Sequence, residues 1–147
     1  MIPTMELKQR LTELLKDNHI IQVATSGPWI CTVHGAVGDD LTIYWISKPD
    51  RRHSRELAVD PRAAVAVFVQ PWPQIGIQAE GSATEVTGDD LVQAVQVYAD
   101  SLNKDQAFRD GLLSGENPHR VYAFTATSWK LFDRENYPDS DVQEVQV

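Results

Sequence analysis

Lys48, Arg51, Arg52 and Arg55 fall within eight consecutive residues, Lys48-Pro49-Asp50-Arg51-Arg52-His53-Ser54-Arg55. They are four of the thirteen lysines and arginines in a chain whose formal net charge is −8. The stretch follows an apolar run, Leu41 to Ser47, and precedes a segment of helical character that stops at Asp60-Pro61. Cations at a helix start oppose the macrodipole, which favours anions there by about 0.3–1 kcal/mol each. Free backbone N–H groups and basic side chains gathered at one helix start make an anion site, with phosphate as its usual occupant. The competing reading is a solvated basic turn paired with Asp50, Glu56 and Asp60, because exposed ion pairs are common and weak.

Other reactive residue types do not converge. Cys31 and His34 lie three apart in an extended run, so they point to opposite faces and cannot share a site. Cys31, with Trp29 and Val33 on its face, reads as structural. Asp39-Asp40 follows Gly38 between two strand-like runs and reads as a hairpin turn, not a metal carboxylate pair. Glu80 and Glu85 differ in parity along one strand, which separates their carboxylates. No GxGxxG, P-loop or nucleophile elbow is present, and histidines 19, 34, 53 and 119 lack the HExxH spacing. Of the tryptophans, Trp29, Trp72 and Trp129 read as core or interface anchors. Trp45, two residues before Ser47, is either another anchor or a platform for a planar cofactor beside the anion site.

The elements that must position these residues follow from patterning. At 147 residues the chain is read as one domain, 1–147. Its acidic balance argues against nucleic-acid binding. A single cysteine excludes a disulfide framework, and no run approaches the ~20 apolar residues of a membrane helix. The start lacks a signal peptide's features, so the expectation is a cytoplasmic protein with no membrane partner. Leu7, Leu11, Leu14 and Leu15 mark one helix face, running to about Lys16. Strand-like runs follow at Ile20–Ser26, Trp29–Val37 and Leu41–Ser47, then a helix over about Arg51–Val59, ending before Pro61. Ala63–Val69 and Gln74–Val86 read as strands, the second carrying Gly76 and Gly81 as places for a bulge or close backbone approach. Asp89 or Asp90 caps a helix with Leu91, Val95, Tyr98 and Leu102 on one face, a shorter helix spans about Gln106–Leu113, and a last strand covers about Arg120–Phe132. The polar, acidic tail from Glu135 to Val147 is expected to be mobile. Six strands with hairpin connections and few helices predict a mainly β fold with flanking helices, a barrel or a sandwich.

In this order the segments resemble the pyridoxamine-5′-phosphate oxidase-like, FMN-binding split-barrel superfamily, from about Met5 to Phe132. The resemblance rests on Trp45-Ile46-Ser47-Lys48-Pro49-Asp50-Arg51-Arg52-His53-Ser54-Arg55-Glu56-Leu57, on Asp60-Pro61-Arg62-Ala63-Ala64-Val65-Ala66-Val67, and on Ile75-Gly76-Ile77-Gln78-Ala79-Glu80-Gly81-Ser82-Ala83. It is similar to a small branch that carries His-Ser where other members have a lysine. The resemblance implies a six-stranded antiparallel split β-barrel that forms a homodimer and binds FMN in clefts between subunits. By position it implies that Trp45, Ile46 and Ser47 line the flavin edge, partly through backbone groups. Arg51, Arg52, His53 and Ser54 would hold the phosphate, with Lys48 nearby, and Gln78 would approach the cleft.

Two departures matter. His53 replaces the lysine that many members place on the phosphate, a weaker cation with an unperturbed pKa of about 6.5. The arginine-rich substrate clamp of true pyridoxamine-phosphate oxidases is not recognisable in Ser128-Trp129-Lys130-Leu131-Phe132, so pyridoxamine phosphate is not the expected substrate. The implied activity is oxidoreduction of a small molecule through FMN, with no catalytic residue assigned because the cofactor carries the chemistry. A flavin-binding carrier or redox sensor is the alternative, and deazaflavin F420 or haem are cofactor variants of the same fold.

Overall fold

A computed structural model describes residues 4–139 and 142–146 of the chain. Helix α1 (Thr4–Asp17) buries the predicted stripe of Leu7, Leu11, Leu14 and Leu15. The strands are β1 (Ile20–Thr25), β2 (Trp29–His34), β3 (Ala36–Val37), β4 (Ile43–Ser47), β5 (Arg62–Pro71), β6 (Gln74–Glu85), β7 (Arg120–Asp133) and β8 (Gln143–Gln146). Helix α2 (Arg52–Val59) links β4 to β5, while α3 (Leu91–Ser101) and α4 (Gln106–Ser114) lie between β6 and β7. No helix among the described residues is long and apolar enough to cross a membrane.

All pairings are antiparallel, in the order β2-β1-β5-β6-β7-β4-β3, with β8 added beside β7. β2 and β3 stand at opposite ends of that path, yet only Gly35 separates them in the chain. One residue spans a few ångströms, so the sheet must curl until its ends meet. The fold is a split barrel, as the resemblance implied. Its interior is filled by Trp45, Phe124, Trp129, Ile43, Ile77 and Leu131 together with the α1 leucines. A second cluster packs Ala94 and Val95 of α3 and Leu112 of α4 onto Val121, with Tyr44 and Ile46 at its margin.

The strand count corrects the expectation of six. The run Trp29–Val37 breaks at Gly35 into β2 and β3, and the tail contributes β8. β7 explains the second addition. β6 covers one side of β7 along its length, but β4 covers only residues 120–124 of the other side. The remaining edge would present unpaired backbone groups, and β8 pairs with residues 128–131 there. Val145, opposite Trp129, is buried and gives this otherwise polar tail an apolar anchor.

Asp133 ties the N-terminal helix to the barrel. Its buried carboxylate accepts from Arg10 Nε at 3.0 Å and from the Asn136 backbone N–H and side-chain amide at 3.0 and 2.9 Å. Of the two glycines expected to mark close approach, Gly81 does so. The β6–β7 register shifts between Glu80 and Gly81, and a Cβ at Gly81 would overlap the Thr125 carbonyl oxygen and come within 2.7 Å of Ala126 Cα. Gly76 has only an ordinary contact, with the Val67 carbonyl at 3.5 Å. Gly81→Ala is therefore expected to destabilise the fold by about 1–3 kcal/mol. Urea unfolding should show a lower midpoint at unchanged slope, whereas Gly76→Ala should leave the midpoint nearly in place.

Candidate functional site

The basic run divides between two surfaces. Adjacent helical residues diverge in direction, and α2 begins within the run. Arg51 is its N-cap, extended at φ −68° and ψ 148°, and no side chain caps the helix. The first-turn N–H groups are thus left for solvent or an anion. Lys48, Arg51 and His53 face a cleft of about 330 Å3 beside this helix start, together with His34 from β2, Tyr98 from α3 and His119 just before β7. Lys48 and Arg51 have no ion pair among the described residues. Ile46 and Ser47 complete the wall on the β4 side.

Arg52 and Arg55 point elsewhere. Arg52 Nε donates to Glu56 Oε2 at 2.7 Å, and its guanidinium lies 4.3 Å from the Trp29 ring centroid. Glu56 Oε1 accepts from Thr25 Oγ1 at 2.7 Å and from the Gly27 backbone N–H at 2.8 Å. One carboxylate thus joins α2 to the β1–β2 hairpin. The Arg52 hydrogen bond first, then that of Thr25, holds this carboxyl below its ordinary value of 4.5. Arg55 shares the Arg52 surface with Ser26, Glu56 and Asp60. Asp60 binds Arg62, 2.7 Å away at the closest contact, and not the basic run. The paired-turn reading describes Arg52, and the anion-site reading describes Lys48, Arg51 and His53.

Four residues expected at the cofactor, Trp45, Arg52, Ser54 and Gln78, have side chains outside the cleft. Strand alternation turns Ile43, Trp45 and Ser47 inward. Trp45 is therefore a fully buried core anchor, stacked on Tyr122 at 6.3 Å and 11° between ring planes, with an indole N–H that has no hydrogen-bond partner. Its ring does not line the anion site. Arg52 is engaged as described. Gln78 lies on the outer sheet face, in a separate groove of about 360 Å3 with Gln22, Ala24, Ala64, Ala66 and Lys130. Thr32, at the edge of the cleft, donates to Gln22 at 2.6 Å and so connects the two surfaces.

Ser47 lines the cleft, and Ser54 is buried behind it. Ser47 Oγ is 2.9 Å from His53 Nε2, and Ser54 Oγ is 3.1 Å from Ser47 Oγ. Burial, and then the Arg51 charge, lower the His53 pKa below 6.5, with Glu56 acting in the opposite sense. Cys31 is half-buried against the core, and burial pushes its thiol up to about 11, which keeps it inert. No group of three or more His, Cys, Asp or Glu side chains fit to hold a metal occurs among the described residues. His34, Tyr98 and His119 were not foreseen: barrel closure brings β2 to the helix start, the pairing of Ser47 with Arg120 brings His119, and packing of α3 on β4 and β7 brings Tyr98.

The sequence matches the pyridoxamine 5′-phosphate oxidase family over residues 7–132. The chain belongs to that family. No protein of curated function matches it. Among solved structures, this pyridoxamine 5′-phosphate oxidase family member is similar to a conserved hypothetical protein of Mycobacterium tuberculosis, at TM-score 0.74 and 15% identity, covering 95% of this chain and 90% of that one. A haem-binding protein from Mycobacterium smegmatis matches at TM-score 0.73 and 16% identity, over 99% of this chain and 59% of its own length. General stress protein 26 from Bacillus anthracis matches at TM-score 0.69 and 13% identity, over 97% of this chain and 100% of its own. At such identities the likeness concerns the fold.

The Glu56 junction carries a pH signature. A carboxyl whose folded pKa lies below its unfolded value contributes stability above about 4.5, and this is lost as pH falls through the folded value. Glu56→Gln should lower the melting temperature at neutral pH and narrow its gap from the native chain as pH drops below 4.5. Thermal melts across an acid series measure this, and a constant gap would contradict it.

Proposed function

We propose that this family member is a cytoplasmic, homodimeric flavoprotein that seats the phosphate of FMN in the cleft beside α2. It would serve as an oxidoreductase for a small-molecule acceptor. The observation that carries the reading is the uncapped start of α2, with unpaired Lys48 and Arg51 and the His53 imidazole on the same cleft. These groups fit a phosphate dianion, two by charge and the helix start by its N–H groups. When bound, FMN supplies the hydride or electron transfer, and the chain supplies anchoring and orientation. Deazaflavin F420, which also bears a phosphate, fits the same anchor.

The outer sheet face supports the dimer. Ala24, Ala64 and Ala66 form a shallow apolar strip across β1 and β5, bordered by Gln22, Gln78, Glu80 and Lys130. A two-fold contact sets such a face against itself, so Glu80 and Lys130 supply opposite charges to each other's copies. Gln78 would then reach the cofactor from the second copy, and Thr32–Gln22 would mark the path between groove and cleft. Haem is the second reading, favoured by the three imidazoles His34, His53 and His119 on one cleft.

The absorption spectrum of freshly purified protein separates flavin, deazaflavin and haem. Titration with FMN, followed by fluorescence quenching, tests the phosphate anchor. A charge-assisted contact contributes roughly 1.5–3 kcal/mol, so Lys48→Ala and Arg51→Ala should each weaken binding at least tenfold. Arg52→Ala, whose guanidinium is held by Glu56, should change affinity much less. Unchanged affinity in both Lys48→Ala and Arg51→Ala would overturn the assignment. NADH or NADPH oxidation with an added acceptor distinguishes an enzyme from a flavin carrier or sensor.

A further inference from the structure

Two buried hydroxyls form a row that ends on an imidazole. Ser54 Oγ lies 3.1 Å from Ser47 Oγ, and Ser47 Oγ lies 2.9 Å from His53 Nε2. Ser54 and Ser47 are only 3% and 6% exposed.

Each hydroxyl has one proton to place. Ser54 donates to Ser47, and Ser47 must send its own proton onward. Two acceptors lie within reach, His53 Nε2 at 2.9 Å and the Lys48 carbonyl at 3.4 Å. The ring nitrogen is the nearer of the two, whereas 3.4 Å is long for a hydroxyl bond to oxygen, so the ring nitrogen takes the proton. A neutral imidazole that accepts at Nε2 carries its hydrogen on Nδ1.

We propose that Ser47 is a positioning residue, oriented by Ser54, that fixes His53 as the neutral Nδ1–H tautomer. The site then offers an oxyanion one directional N–H donor from His53, while Lys48 and Arg51 provide the charge. This rests on the phosphate reading of the cleft only for the identity of the anion. Protonating His53 would make Nε2 a donor and turn the Ser47 hydroxyl to the distant Lys48 carbonyl, a poorer arrangement. The surrounding groups act on the same equilibrium. Arg51 at the helix start opposes a second cation, and the other cations nearby are Lys48 on the preceding turn and Arg52, which is paired with Glu56. Glu56 within α2 favours protonation of the ring, and His34 of β2, Tyr98 of α3 and His119 ahead of β7 complete the wall.

The test is a two-bond proton–nitrogen NMR spectrum of the imidazoles in the full chain without added cofactor, with His53 assigned by its loss in His53→Gln. The native chain should show His53 with bare Nε2 and protonated Nδ1. Ser47→Ala should release it to a tautomer mixture and raise its titration midpoint by about one pH unit, and Ser47→Thr should restore the native pattern. Inorganic phosphate should bind Ser47→Ala with a steeper pH dependence than the native chain. A protonated Nε2 in the native spectrum overturns the proposal, as does an unchanged pattern in Ser47→Ala. Should that variant not fold, the native spectrum alone decides. A fixed Nδ1–H tautomer in a chain that ignores FMN would keep the relay and remove the flavin reading, and the converse result would do the reverse.

Discussion

Gly35 is the whole connection between the two ends of the sheet, and that brevity dictates the rest of the molecule. A path of seven strands whose extremes are consecutive in the chain can exist only as a closed or nearly closed surface. A Cβ there would overlap Ile21 Cδ1 and approach Ile43 Cγ2 to 3.1 Å, so any larger residue requires the buried Ile21 side chain to shift. The link is pinned on both sides: Gly35 N–H donates to the His19 carbonyl at 2.8 Å, and His19 Nδ1 meets the Gly35 carbonyl at 2.9 Å. Closure sets β2 against β4, and the seam between them is where the cleft lies, at the point where β4 gives way to α2.

This constraint explains which parts of the site were legible in the sequence. The helix start after Ser47 was readable because its charges are local and contradict the helix dipole. The division of Arg51 from Arg52 follows from helical geometry once the N-cap is known. The sequence alone could not fix the cap, since none of the favoured capping side chains occupies it. Trp45 shows the opposite failure. Its parity with Ile43 marks it as inward-facing, and proximity to Ser47 suggested a cofactor platform, but alternation carried its ring into the core. His34 and His119 had no local signal at all, since only the seam gives them a common neighbour.

The tail illustrates how a neighbour can decide an element. Its composition favours solvent, and a single valine in Gln143–Gln146 offers little to a strand by itself. The exposed edge of β7 supplies backbone partners, and Trp129 supplies an apolar surface for Val145. In the same way, Glu56 resembles an ordinary surface carboxylate in the sequence, yet it accepts from Thr25, Gly27 and Arg52 together and fixes the angle at which α2 leaves the barrel.

That carboxylate also shapes the field around the molecule. By neutralising Arg52 it leaves Lys48 and Arg51 as the free positive charge of the cleft, a spot within a chain of net charge −8. An anionic ligand approaching from afar meets repulsion, and attraction takes over only within a few ångströms of the cleft. The Debye length is about 8 Å at physiological ionic strength, longer than that inner range and shorter than the distance across a domain. Moderate salt therefore screens the repulsive outer field more than the attractive inner one. Association of an anion should quicken as salt is first added, a kinetic gate made by the distribution of charge, with no moving part.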